Sequence, residues 1–305
     1  MSHHACAHHG DVSGRPTDAD HAQPAEESRH FDHASKQRGL ASRAATRTAA
    51  TAPPLAPPPP ALPLAPPPPD SVRSAMFGKA RAMAFRWGIA GTGRIASDFV
   101  DGLRQVPDAE VVAVCSRSSE SAREFANRRA IARAHGSYEA LADDPDVDIV
   151  YVATPNSRHR SDTEMYLRAG KHVLCEKPFA LNLAEAKSMV RTARDTKRFV
   201  MEAIWSRFLP VYVALGEVLQ SQPLGQITRV EADFGFVAPT DARHRLNDPA
   251  LGGGSVLDLG IYCLHIARFV LGGHESVHAV GALNDQGVDV DATYTLGYAS
   301  GATAV

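Results

Sequence analysis

The chain has 305 residues, 44% of them hydrophobic and 22% charged, with a formal net charge of -2. That length suits two ordinary domains or one large one, and the near balance of charge leaves no footprint for nucleic acid or a membrane surface. Four cysteines, Cys6, Cys115, Cys175 and Cys263, are scattered with no C-x-x-C pair, which argues against a disulfide framework or a zinc site and suits a reducing compartment.

Residues 1–82 are rich in Ala, His, Pro, Ser and Arg and show no steady apolar period. Eleven of the seventeen residues from Pro53 to Pro69 are proline. Such a segment forms neither helix nor sheet; it is expected to be an extended, disordered tail, reaching roughly 50 Å at about 3.1 Å per residue. No apolar stretch follows the first basic residues, so the start does not read as a secretory signal and a cytoplasmic location is expected. The early histidines (His3, His4, His8, His9) suit adventitious metal binding, but more readily an unstructured polar tail. Met83 leads straight into an apolar strand and resembles a natural protein start, so an over-extended reading frame is a further possibility. No run of about 18 apolar residues predicts a membrane span.

Order is expected from residue 83. Phe85 to Ala90 reads as a short buried strand that runs into Gly91-Thr92-Gly93-Arg94-Ile95-Ala96, the G-x-G-x-x-A form of the dinucleotide-binding fingerprint. Gly91 permits the tight turn, Gly93 lets the backbone approach a pyrophosphate, and Ala96 keeps helix close to strand. The following helix carries Ile95, Phe99, Val100 and Leu103 on one face, and its N-terminus offers free N–H groups to phosphates. Glu110 to Cys115 is the second strand. It ends in Ser116-Arg117-Ser118-Ser119 with no acid before Glu120. An acid there would accept from the ribose of NAD; Arg117 beside hydroxyls suits the 2′-phosphate of NADP, by roughly 10- to 100-fold, although a solvated surface arginine fits the same position.

Asp148 to Ala153 predicts another strand, ending in Thr154-Pro155-Asn156. His172 to Cys175 ends in Glu176-Lys177-Pro178, and Phe199 to Ala203 ends near Trp205 and Arg207. Helical patterns separate them, over Ser161 to Ala169 and Leu183 to Asp195. Alternating strands and helices predict an α/β doubly wound parallel sheet over 83–203, whose ligands bind beyond the carboxyl ends of the strands. The polar and glycine clusters fall at those ends. Lys177 suits a proton-transfer catalyst there, and equally a surface Lys–Glu pair. From residue 204 the pattern changes. Pro210 to Ser221 predicts a helix, Ile227 to Phe236 a strand, Ser255 to Val270 a helix after Gly252-Gly253-Gly254, and Val277 to Leu283 and Asp289 to Tyr298 strands, with a turn at Ser300-Gly301. The expected architecture over 204–305 is α+β, an open, mainly antiparallel sheet with a helix on one face.

These residues resemble the glucose-fructose oxidoreductase / inositol dehydrogenase (Gfo/Idh/MocA) superfamily, in the branch of dimeric dihydrodiol dehydrogenase, NADP-dependent D-xylose dehydrogenase and glucose-fructose oxidoreductase. The resemblance rests on the Gly91 motif, on Thr154 to His159, on Cys175 to Pro178, on Met201 to Phe208 and on Gly252 to Tyr262. It implies a Rossmann domain and a second, substrate and dimerisation domain. It places Glu176 and Lys177 at the nicotinamide ribose and substrate, with Asn156, His159, Trp205 and Arg207 along the cofactor cleft. Thr154, Ser116, Arg94 and Ile95 complete the candidate cofactor set. Many relatives carry Asp-x-x-x-His; the matching residues here are Asp258 and Tyr262, and the tyrosine version implies an acid/base tyrosine. Lys177 would stabilise its phenolate, and Asp258 would orient a substrate hydroxyl or Lys177. Taken from spacing alone, Tyr262 is a half-buried aromatic on an amphipathic helix, and Cys263 and His265 read as packing residues.

The resulting expectation is an NADP-dependent oxidoreductase acting on the CH–OH group of a D-xylose-like aldose or a trans-dihydrodiol, without a metal and with NAD the lesser choice. A non-catalytic NADP-binding regulator would need neither Lys177 nor Tyr262; an NAD-assisted glycosidase would hold NAD, against Arg117 and the missing acid. A glucose-fructose oxidoreductase-type activity is the other alternative, although the tail lacks the twin-arginine and apolar pattern of an export signal. Relatives continue beyond the point matching Val305, so the second sheet is expected to be incomplete and to expose an edge; a homodimer is expected where that domain is whole.

Overall fold

The computed structural model describes residues 84–221 and 223–305; the tail predicted over 1–82 lies outside the described residues, and so does Met83. The first sheet has six strands: β1 (Phe85–Ala90), β2 (Ala109–Cys115), β3 (Arg133–His135), β4 (Ile149–Val152), β5 (His172–Cys175) and β6 (Val200–Glu202), in the order β3-β2-β1-β4-β5-β6. Every neighbouring pair is parallel. Helices cover both faces, which explains why the strand interiors read as continuous apolar runs rather than alternating ones. One face buries Val112, Val150, Tyr166, Leu167, Val173 and Met189. The other buries Ile89, Val100, Val114, Phe125 and Tyr151. A fully buried Phe or Val contributes about 1.5–3 kcal/mol.

The helices start where short polar residues cap them. Ser118 accepts from the N–H of Ser121 and begins α2 (Ser119–Arg128). Ser137 accepts from Ala140 and begins α3 (Tyr138–Ala142). Asn182 accepts from Glu185 and begins α5 (Leu183–Thr196). Two helices of this first sheet break the pattern: α1 (Arg94–Leu103) starts at Gly93 with no side-chain cap, and α4 (His159–Arg168) continues a 3-10 turn over Asn156–Arg158. Both start at the carboxyl end of the sheet, flanking the point where strand order reverses between β1 and β4.

After the short 3-10 turn Trp205–Phe208 and α6 (Pro210–Ser221), the second sheet runs β7 (Arg229–Val230), β10 (Thr303–Ala304), β9 (Asp289–Gly297), β8 (Ser276–Leu283). It is antiparallel except for the β10–β7 pair. Helix α7 (Ile261–Leu271) lies on one face, with Ala267 packed among Leu296, Tyr298, Ala302 and Ala304. Two expectations change. The strand predicted over Ile227–Phe236 contracts to Arg229–Val230, the two residues that pair with Thr303 and Ala304; a strand is defined by its ladder bonds and not by alternation alone. The single helix predicted over Ser255–Val270 is a π-helical turn, Val256–Gly260, followed by α7, with the Ile261 N–H reaching back to Val256 O. By length and composition Pro249–Leu271 is apolar enough to cross a bilayer, but it is divided into 3-10, π and α pieces and carries the buried Asp258 in its middle.

Candidate active site

Gly91 ends β1 with φ 112, a conformation that favours glycine, and a Cβ there would lie 2.6 Å from the Ala153 carbonyl oxygen. The two strand ends at the switch point thus touch through bare backbone. At Gly93 a Cβ would meet nothing within 4 Å, so the turn leaves open space in front of the uncapped N-terminus of α1. Unpartnered N–H groups and the helix dipole make that a fitting cradle for a dinucleotide pyrophosphate. Arg94 and Ile95 stand exposed on its rim, and Ser116 and exposed Arg117 end the adjacent β2.

The loop after β4 is built inward. The Thr154 hydroxyl donates to Asp162 at 2.8 Å, and Arg158 holds the same carboxylate at 2.6 Å. His159 is fully buried; its Nδ1 lies 2.8 Å from Pro178 O and its Nε2 3.0 Å from Thr154 O. Burial pushes its ring below the usual histidine range. A neutral ring carries one N–H and donates to one of these two carbonyls; buried between the β4 and β5 loops, His159 does not line the cleft as expected. Thr154 likewise turns its hydroxyl inward, to Asp162. Asn156 donates to Gly252 O at 2.9 Å, joining the first sheet's loop to the glycine run of the second region.

Glu176 is also an inward residue. Its carboxylate accepts from the Tyr151 hydroxyl and from the Lys177 N–H, and burial pushes it up from the usual range. Lys177, one residue on, points the other way. Its ammonium donates to the Asp258 carbonyl at 2.8 Å, lies 3.4 Å from the Asp258 carboxylate, and sits 5.0 Å from the centre of the Tyr262 ring. The indole N–H of Trp205 donates to the Tyr262 oxygen at 2.7 Å, which leaves the phenol proton free to face a bound molecule. Burial raises the Tyr262 phenol, and the Trp205 bond opposes that rise. The structure thus brings Lys177, Asp258, Tyr262 and Trp205 together from β5, the π turn, α7 and the turn after β6. Arg207 turns away from this group, with its guanidinium over the Phe269 ring at 5.2 Å; a cation–π contact on α7 has replaced the expected place along the cofactor cleft. Cys263 is half-buried on α7, and His265 stacks on Tyr212 at 5.9 Å.

Three neighbours were not found from the sequence. Arg245 donates to Asp258 at 3.1 Å. Phe234 lies 5.6 Å from Tyr262, ring to ring. Asp289 accepts from the Ser255 hydroxyl and the Val256 N–H, both at 2.7 Å, and so anchors the π turn. None belongs to a motif; each comes from a loop or strand outside the element it touches. Asp258 also borders a cleft of about 710 Å³ between residues 231–238 and β9. Neither Lys177 nor Tyr262 lines that cleft. No cluster of His, Cys, Asp and Glu suited to a metal occurs among the described residues.

The family model described as "Oxidoreductase family, NAD-binding Rossmann fold" matches residues 85–204, and the GFO/IDH/MocA C-terminal domain matches residues 212–305. The trans-1,2-dihydrobenzene-1,2-diol dehydrogenase of Bos taurus is 46% identical over 72% of this chain and 66% of its own length; the chain thus spans just under two thirds of that relative. An aldose-aldose oxidoreductase from Caulobacter crescentus, crystallised with glycerol, is 33% identical with a TM-score of 0.66 over 72% of this chain and 69% of that one. A 3-ketoreductase from Actinomadura kijaniata, crystallised with NADP, is 30% identical with a TM-score of 0.66 over 72% and 68%.

Proposed function

The chain belongs to the GFO/IDH/MocA oxidoreductase family, and from that premise we propose that it is an NADP-dependent dehydrogenase of CH–OH groups, acting on a trans-dihydrodiol or a D-xylose-like aldose. The Lys177–Tyr262–Trp205 cluster carries the reading. A phenol held by an indole donor, with an ammonium 5.0 Å from its ring, is what a proton-transfer group for a substrate hydroxyl requires. The names of the bovine relative and of the aldose oxidoreductase support the two substrate classes.

Gly91, Gly93, Arg94 and Ile95 would hold the pyrophosphate, Ser116 and Arg117 the 2′-phosphate, and the Thr154 and Asn156 loop the ribose side. The nicotinamide, when bound, supplies the hydride acceptor or donor. Tyr262 takes the proton of the substrate hydroxyl in oxidation and returns one in reduction. Lys177 bonds the substrate oxygen and favours the phenolate; Trp205 fixes the direction of the phenol. In the same reading residues 83–203 form the cofactor domain and 204–305 the substrate and dimerisation domain, in a cytoplasmic homodimer. Unpaired thiols at Cys115, Cys175 and Cys263 suit that compartment.

The test is a titration of the full chain with NADPH and with NADH, followed by nicotinamide fluorescence, for wild type and Arg117→Ala. NADPH is expected to bind roughly 10- to 100-fold more tightly, a preference that Arg117→Ala removes. Equal affinity for the two in the wild type would overturn the NADP assignment.

A further inference from the structure

We propose that Arg245 is a positioning residue that sets the charge around Tyr262 through Asp258, an inference that rests on the acid/base reading of Tyr262 above. The Asp258 carboxylate is one buried anion between two cations. Its Oδ1 lies 3.1 Å from Arg245 Nη1 and 3.4 Å from Lys177 Nζ. Lys177, Asp258 and Arg245 together carry one net positive charge; Lys177 and Asp258 alone carry none. A phenolate forming at Tyr262 therefore meets a net cation only while Arg245 is in place. Without Arg245 the ammonium is left as the sole neutraliser of Asp258, and its field at the phenol largely cancels.

The other groups that bear on Tyr262 make this cation count. Glu176, Asp258 and Glu202 all act against its ionisation, while Trp205 donates to its oxygen. Phe234 covers the ring and adds no charge. Lys177 is the near cation, at 5.0 Å. The loop that presents Arg245 is built to a fixed position. Leu246 is buried beside it, and its carbonyl accepts from Gly254 at 3.0 Å. A Cβ at Gly253 would lie 2.5 Å from that same carbonyl, so the loop rests directly on the glycine run before the π turn. Asn247 ties the loop's far side to Pro239 O and Asp241 O at 2.7 and 2.9 Å. The Arg245 side chain is 56% exposed, so its influence is expected to weaken with added salt.

The experiment follows the ionisation of Tyr262 by ultraviolet difference absorbance, each protein measured against its own Tyr262→Phe partner, in the full chain with NADPH present. Arg245→Ala is expected to raise the Tyr262 midpoint by about one pH unit, a tenfold loss of phenolate at fixed pH. Arg245→Lys is expected to restore most of the shift, and Arg245→Gln, which keeps a donor but no charge, to behave as alanine. NADPH binding is expected to stay within about twofold throughout, which reports an intact fold and holds for the Gln variant if the Ala variant unfolds. A midpoint unmoved in both Ala and Gln, or restored by Gln as well as by Lys, overturns the proposal. Turnover is read separately on a panel of trans-diols and aldoses: a moving midpoint with no turnover on any of them sinks the dehydrogenase reading and keeps that of Arg245, and turnover with an unmoved midpoint does the reverse.

Discussion

Lys177 is placed by two opposite pulls at adjacent positions. Its backbone N–H is bound inward by Glu176 at 3.0 Å, while its ammonium reaches across to Asp258 at 2.8 Å and over Tyr262. A cation so held does two things for the proposed chemistry: it bonds the substrate oxygen and it favours the phenolate. Replacing it by a side chain of similar length without charge separates that role from cofactor binding. Lys177→Met is expected to lower kcat by about 100-fold or more, while NADPH affinity measured by fluorescence stays within about threefold. Equal loss of turnover and of binding would remove Lys177 from the chemistry and assign it to the cofactor. Glu176 is unsuited to the same test, because its carboxylate is tied to Tyr151 and its removal would leave that hydroxyl buried without a partner.

At the scale of elements, Asp258 and Tyr262 depend on a helix start that is unusual. Gly254 stands at φ +130, and a Cβ there would lie 2.4 Å from Asp289 Oδ1. Asp289 on β9 then accepts from Ser255 and Val256 and serves as a cap supplied by another element. The π turn it holds sets where Asp258 and Tyr262 project. Asp289→Ala is expected to cost about 1–3 kcal/mol by leaving a hydroxyl and an N–H unpaired, read as a lower urea midpoint with an unchanged slope. An unchanged midpoint would show that the turn holds itself. This cap was hidden in the sequence: Asp289 lies far downstream and follows no local pattern. The first sheet was the opposite case. Its strands are apolar runs that end in Gly91, Thr154 and Glu176, and their alternation with helical stretches predicts the parallel, doubly wound sheet that is found. What escaped reading there was the direction of side chains. Thr154, His159 and Glu176 sit in motifs at the cleft, but the buried partners Asp162, Pro178 O and Tyr151 turn them inward. The three-residue β3 is too short to show any period.

At the scale of the whole molecule, the described residues cover the second sheet on one face only and leave β8 open. All of β8 is exposed, including Val277 at 57%, Val280 at 60% and Leu283 at 67%, and Val290 on β9 adds 51%. An eight-residue apolar edge strand with no charged side chain between Ser276 and Leu283 lacks the devices that keep sheet edges apart, such as lysine, proline or an inward charge. Helix α7 cannot cover it, since its contacts with the sheet are made at Leu296, Tyr298, Ala302 and Ala304. In the proposed homodimer a second copy would cover this face with its own, because a two-fold contact uses the same patch on both partners. The expected result is a particle of twice the 32.6 kDa chain mass in sedimentation or light scattering at micromolar concentration. Val280→Glu is expected to halve that mass while NADPH still binds, because the substituted position lies on the second sheet and away from the Gly91 turn. A wild-type chain that stays monomeric across the accessible concentration range removes the homodimer from the proposed function. A Val280→Glu protein that remains dimeric moves the interface to another face.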